Sequence, residues 1–248
     1  MKKLILITAA LCFYLNTQAQ LQKGRMLLGF NFNYFQNSQN NHSVNDTLLS
    51  GINSYKNNYK TLNATLNFGY FVTNHVAIGL TGQNSYGYYL YVSKNGTGLT
   101  YSENDNKQIN NLCSGGAFVR FYQMLGKSRF AFFTEVRALY QNGASNETTT
   151  YIRNSMPDQV TKAKITTTGF LGGIRPGVTY FINTHFGIEA TLGNFSYNIQ
   201  NAKNFQEGKL TSTSKTNTVI ANVSITSFFI GLSYYFGGKK ESKTTTEN

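Results

Sequence analysis

Phe228-Phe229-Ile230-Gly231-Leu232-Ser233-Tyr234-Tyr235-Phe236 alternates in side-chain character with a period of two. On an extended chain Phe228, Ile230, Leu232, Tyr234 and Phe236 share one face, while Phe229, Gly231, Ser233 and Tyr235 share the other. One face is bulky and apolar, the other smaller or amphipathic. That pattern suits a sheet with hydrocarbon outside and a crowded lumen inside. A hydrophilic stretch follows at once, from 237 to 248, so this strand reads as the closing element of its sheet.

The same period recurs upstream. Strands are predicted near 26–36, 59–71, 75–90, 111–122, 130–141, 167–181, 185–197 and 218–236. In the first, Leu28, Phe30, Phe32 and Tyr34 alternate with Gly29, Asn31 and Asn33; in the second, Leu62, Ala64, Leu66, Phe68 and Tyr70 alternate with Thr and Asn. Composition agrees: 17 Tyr, 19 Phe and 23 Gly stand against only 2 Pro, with strand-forming aromatics and turn-forming Gly and Asn in excess. The links alternate in length. Short ones fall near 72–74, 123–129 and 182–184, and long polar ones near 37–58, 91–110, 142–166 and 198–217. Short turns at one end and long loops at the other describe an all-β, eight-stranded antiparallel up-and-down transmembrane β-barrel over 20–236, with both termini on the short-turn side. Four structureless loops of that length would be unusual in a compact soluble domain.

The N-terminus predicts export. Lys2 and Lys3 precede an apolar run from Leu4 to Leu15, and Thr17-Gln18-Ala19 supplies small residues before a cut ahead of Gln20. Residues 1–19 therefore read as a signal peptide; the run falls short of the roughly 20 residues a spanning helix needs. After its removal Cys113 is the only cysteine, so no intramolecular disulfide can form. The formal charge of +12 is scattered along the chain, without the clustered basic footprint that nucleic-acid binding requires. Residues 237–248 read as a hydrophilic periplasmic tail.

Tyr70-Phe71-Val72-Thr73-Asn74-His75-Val76-Ala77-Ile78 is echoed by Tyr180-Phe181-Ile182-Asn183-Thr184-His185-Phe186-Gly187-Ile188. Both copies cover a short turn, with an aromatic placed for the membrane interface and Asn or Thr placed for the reversal. These two turns, the signal peptide and Leu232-Ser233-Tyr234-Tyr235-Phe236 resemble the outer-membrane β-barrel domain family of Gram-negative bacteria, the small OmpA/OmpX-like barrels. The resemblance covers roughly residues 24 to 236. It implies residence in the outer membrane and insertion by the barrel-assembly machinery, which in that family reads a last strand ending in an aromatic residue. Here the chain continues past Phe236.

With the apolar face outward, Arg120, Glu135, Arg137, Arg175 and Glu189 all point into the lumen. Two readings follow: a paired plug of side chains, which suits the narrow lumen of eight strands, or a narrow path for small solutes or ions. Support for catalysis is thin, and no catalytic, cofactor-binding or metal-binding residues are assigned. A lipid-modifying barrel enzyme would want Ser, His and a carboxylate at the outer rim. Of three histidines, only His42 lies in a long loop, beside Ser43 and Asp46, while His75 and His185 occupy the echoed turns. Cys113 is expected to be a buried, inert thiol. Function is assigned to the long loops, dotted with Tyr55, Tyr101 and Tyr151, which could meet a surface partner, a glycan or lipopolysaccharide. The sequence thus points to a structural or surface-interaction barrel among outer-membrane lipids. The alternatives are a lipid-modifying enzyme and a narrow-pore channel.

Overall fold

The computed structural model describes residues 21–44, 52–97, 100–126, 128–153, 156–222 and 228–238. The expected signal peptide, Asp46 and nearly all of the C-terminal tail lie outside them. The described chain is strand throughout: β1 (Arg25–Val44), β2 (Ile52–Phe71), β3 (Val76–Thr97), β4 (Thr100–Met124), β5 (Phe130–Arg153), β6 (Met156–Phe181), β7 (Phe186–Thr191), β8 (Asn194–Gln206), β9 (Lys209–Asn222) and β10 (Phe229–Gly237). All pairings are antiparallel, and β1 to β7 with β10 close into a ring of eight. The closing pair runs from Arg25↔Gly237 to Phe32↔Ile230.

Alternation decides which way each side chain points. Leu28, Phe30, Phe32, Leu66, Leu80, Phe132, Ile174 and Leu232 face out, while Leu27, Asn31, Asn67, Phe118 and Tyr235 face in and are buried. The outward residues form an apolar band edged by aromatics. Tyr34, Tyr86, Tyr140, Phe170 and Tyr197 mark its upper rim, and Tyr70, Phe130, Phe186 and Tyr234 its lower rim. From Phe170 to Tyr180 on β6, at ~3.3 Å per residue and a tilt of ~40°, the band covers ~25 Å of depth, the height of an outer-membrane barrel's lipid-facing belt.

The short links behave as the sequence suggests, and the echo is structural. Thr73 Oγ1 accepts hydrogen bonds from His75 N at 3.1 Å and Val76 N at 3.0 Å. In the second copy Asn183 Oδ1 accepts from His185 N at 2.8 Å and Phe186 N at 2.9 Å. Each turn also carries an equivalent backbone bond, Val72 N to Val76 O and Ile182 N to Phe186 O. Just inside the barrel from each turn, Phe71 and Phe181 are buried.

Three sequence expectations need correction. The four long links are not structureless: the strands run on into tall hairpins, down to Val44↔Ile52, Thr97↔Thr100, Arg153↔Met156 and Gln206↔Lys209. Their polar side chains pair across strands, as in Gln108 with Ser145 and Asn106 with Thr149, so polar sequence here signals water on both faces rather than loop. Strand seven is broken at Leu192-Gly193, where Gly193 takes a φ of +76°, and the residues expected in strand eight fall on two elements, β9 from Lys209 and β10 from Phe229, with 223–227 outside the described residues. Cys113 is exposed on the outer wall, within 3.1 Å of Asn84 Nδ2, because it shares the parity of the outward residues of β4.

Closure leaves no room on the inner face of β10. A methyl group at Gly231 would strike Asn31 Oδ1 and the Phe30 carbonyl of β1. Gly231→Val is therefore expected to destabilise the closed barrel by about 1–3 kcal/mol. In urea titrations of refolded protein the midpoint should fall, whereas Leu232→Val on the lipid side should leave it close to wild type.

Candidate functional site

The lumen is built in layers from the short-turn end. At the bottom, Leu27, Phe71, Tyr122, Phe133, Phe181 and Tyr235 pack into one buried cluster. Tyr122 lies 5.5 Å from Phe71 and 5.7 Å from Phe133 between ring centroids, and Tyr235 lies 5.2 Å from Phe181. The hydroxyls of Tyr122 and Tyr235 meet at 3.5 Å across the lumen. The two copies of the echoed turn thus deliver their aromatics to one plug.

Above it stands the charged layer. All five charged residues named from parity point inward and are buried: Arg120, Glu135 and Glu189 completely, Arg175 at 1% and Arg137 at 7% exposure. The structure joins four of them. Arg120 donates through Nε at 3.1 Å and Nη2 at 2.7 Å to Glu135 Oε2, and through Nη1 at 2.8 Å to Glu189 Oε1. Arg175 Nη2 donates to Glu135 Oε1 at 2.7 Å. One carboxylate therefore holds two guanidiniums, and one guanidinium holds two carboxylates. Neighbours complete the layer: Arg120 Nη1 reaches Tyr122 Oη at 3.0 Å, Tyr235 Oη donates to Glu189 Oε1 at 3.3 Å, and the Arg120 guanidinium carbon sits 4.3 Å from the Phe133 ring centroid.

Arg137 stands apart from that network. Its Nη1 donates to Gln83 Oε1 at 3.1 Å and its Nη2 to Asn194 Oδ1 at 3.5 Å. Sequence parity could find the five charges but missed Tyr122, Tyr235, Gln83 and Asn194, whose roles depend on which strands face each other across the lumen. A further Arg, Arg25, lies at the bottom mouth, where its Nη2 donates to the Thr184 carbonyl at 2.6 Å and the Tyr235 carbonyl at 3.0 Å.

The terminal strand presents Ile230, Leu232 and Tyr234 outward. Phe236 follows the same parity, and its ring stacks on Tyr234 at 5.5 Å. Phe228 lies just ahead of β10, half-buried, with its carbonyl accepting from Asn33 Nδ2 at 2.6 Å. On the crown, Lys94 Nζ pairs with Glu103 Oε1 at 2.9 Å and the Tyr101 hydroxyl donates to Glu103 Oε2. The Tyr101 hydrogen bond first, then Lys94, holds the Glu103 carboxyl below its usual range. His42 and Ser43 fall on β1, opposite Ser54 and Asn53; Asp46 lies outside the described residues. Among the described residues no group of His, Cys, Asp and Glu could hold a metal ion. On the outer wall a cleft of about 570 Å³ is lined by residues including Lys162, Lys164, Glu147, Phe205 and Glu207.

Ring, band and filled lumen together define the class: an outer-membrane-type β-barrel. No protein-family model matches the chain, and no curated protein is significantly similar to it. Solved structures include two similar barrels from Pseudomonas aeruginosa. The outer membrane protein OprG shares 14% identity over 89% of this chain and 99% of its own, with a TM-score of 0.38. The N-terminal β-barrel domain of OprF shares 12% over 87% and 98%, with a TM-score of 0.23.

Removing the shared carboxylate leaves the buried Arg175 without a carboxylate and Arg120 with Glu189 alone. Glu135→Ala is expected to lower the unfolding free energy by about 3–5 kcal/mol, the cost of breaking a buried ion pair. Glu103→Ala, in the solvated crown, should produce a far smaller change in the same denaturant titration.

Proposed function

We propose that this chain is an integral outer-membrane barrel whose lumen is sealed by side chains and whose role is structural or one of surface interaction, carried by the crown of hairpins. One observation supports this above others: the layer of Arg120, Glu135, Arg175 and Glu189 is fully enclosed and rests on a packed aromatic plug. A path for solutes would have to break both layers. The hairpins beyond the upper aromatic rim are polar, tall and held by cross-strand hydrogen bonds, which makes them a pre-shaped surface for a partner. The last strand, closing on β1 and ending at Phe236, is the segment the assembly machinery would read.

This reading is tested in cells and in bilayers. The protein should fractionate with outer membranes, migrate differently on gels before and after boiling, and be cut by external protease within the crown of intact cells. Purified protein should give no steady conductance in planar bilayers. Recovery as a soluble periplasmic protein, or a sustained current, would overturn it.

Lipopolysaccharide suits the outer wall as the lipid partner. Lys162, Lys164, Lys203 and Lys215 are exposed on the outward faces of β6, β8 and β9. Register sets Lys164 opposite Phe205, Lys203 opposite Thr166 and Lys215 opposite Asn201, above the Phe170↔Ile199 pair at the rim of the apolar band. At ~2.5 Å of height per residue, Lys215 stands ~5 Å above that rim, in the headgroup layer that extends ~5–7 Å beyond the hydrocarbon, where an ammonium group meets lipid phosphates. On the same measure Lys203, Lys164 and Lys162 stand ~10–20 Å above it, at the level of the polysaccharide of that lipid. Replacing all four lysines by Ser is expected to reduce co-purifying lipopolysaccharide several-fold without altering the heat-modifiable mobility; unchanged lipid content would remove this partner.

A further inference from the structure

The charges inside the barrel do not balance. Among the described residues the charged layer holds three guanidiniums, those of Arg120, Arg137 and Arg175, against two carboxylates, those of Glu135 and Glu189. Arg120 engages both carboxylates, and Arg175 engages Glu135 through one nitrogen. Arg137 touches no carboxylate, only the amide oxygens of Gln83 and Asn194. An arginine cannot shed its charge by losing a proton in the pH range of life. Neutral amide oxygens solvate that charge without cancelling it, so one positive charge is left over in an enclosed space.

Among the guanidiniums of this layer, the donors left over sit on Arg137 and Arg175. Arg137 Nε and both Nε and Nη1 of Arg175 are buried without a hydrogen-bond partner. Glu135 faces Arg175 across the β5–β6 pair and Arg137 faces Gly173, which makes the two arginines diagonal neighbours on the inner wall, with Cα atoms ~7–8 Å apart. Gly173 adds no side chain between them. The Arg175 guanidinium carbon lies 5.5 Å from the Phe229 ring centroid, so an apolar wall backs one side of the space. Glu135 uses both carboxylate oxygens elsewhere, on Arg120 and on Arg175 Nη2, and leaves the remaining Arg175 donors free of competition.

We propose that Arg137 and Arg175 form a binding site for one small monovalent inorganic anion of the halide class inside the barrel. A single negative charge brings the network to neutrality. A multivalent anion such as phosphate would overshoot it beside Glu135. The ion gives the free N–H donors a charged acceptor, joins Arg137 to the four-residue network, and makes barrel stability depend on anion identity.

Two measurements on the full-length mature protein, refolded in detergent, test the site. Its thermal unfolding midpoint is followed as sodium chloride or sodium bromide replaces sodium isethionate at constant ionic strength, and crystals grown in bromide are examined for anomalous scattering. Wild-type protein should show a midpoint that rises and saturates with either halide, and a bromide peak between the two guanidiniums. Arg137→Gln should flatten the halide response, while Lys162→Gln on the outer wall should keep it. Equal midpoints in halide and isethionate, a response that survives Arg137→Gln, or bromide-grown crystals without that peak would overturn the proposal. If Arg137→Gln does not fold, the wild-type bromide map decides alone. None of these readouts depends on cellular location or conductance, so the site and the proposed role stand or fall separately.

Discussion

Closure of the sheet between β1 and β10 is the constraint on which the rest of this structure depends. In hydrocarbon a backbone N–H or C=O has no water to turn to, so a sheet crossing a bilayer must have no edge. The register from Arg25↔Gly237 to Phe32↔Ile230 removes that edge over the lower ~18 Å of the apolar band, at ~3.3 Å per residue and a tilt of ~40°. Above it, among the described residues, the outer half of β1 pairs only with β2, and β9 pairs only with β8. The ladder of the seam is thus complete through the lower part of the band, while in the crown water satisfies the backbone groups that no strand pairs. The inner face of β10 is trimmed to Gly231 and Ser233 at this seam, which lets β1 and β10 approach while Tyr235 fills the lumen below.

Closure then determines what the inside must contain. Eight strands enclose a space that side chains can fill, and the chain fills it with aromatics at one end and charge in the middle. Buried charge is tolerable here because it is shared: Glu135 bridges Arg120 and Arg175, and Arg120 bridges Glu135 and Glu189. Such a network adds little net stability over an apolar filling, but it makes loss of any one member costly. It also ties β4, β5, β6 and β7 together through their side chains as well as their ladders. The Tyr122 and Tyr235 hydroxyls connect this layer to the plug beneath, so the charged and aromatic layers are mechanically one.

Much of this was legible from period-two alternation. The parity of Arg120, Glu135, Arg137, Arg175 and Glu189 followed from the apolar residues on either side of each, because a strand offers only two faces. The turn echo was legible as well, since Thr73 and Asn183 are short side chains able to accept two backbone N–H groups. The crown was not. A hairpin wetted on both faces has no hydrophobic period, so Asn, Ser and Thr in 91–110 or 142–166 look like loop although they pair in register. Cys113 was misjudged for a related reason: near the upper rim the contrast between faces fades, and a small residue no longer reveals its side.

The amino-acid sequence by itself determined the strand parity, the outward apolar face and the set of charges sent inward, because these are properties of neighbouring residues on an extended chain. Only the tertiary structure decided which guanidinium meets which carboxylate, that Arg137 meets none, and that Tyr122 and Tyr235, 113 residues apart, share one plug. Those partnerships depend on the stagger of the closed sheet, which sets the height of every strand against the one across the lumen. No local pattern encodes that height.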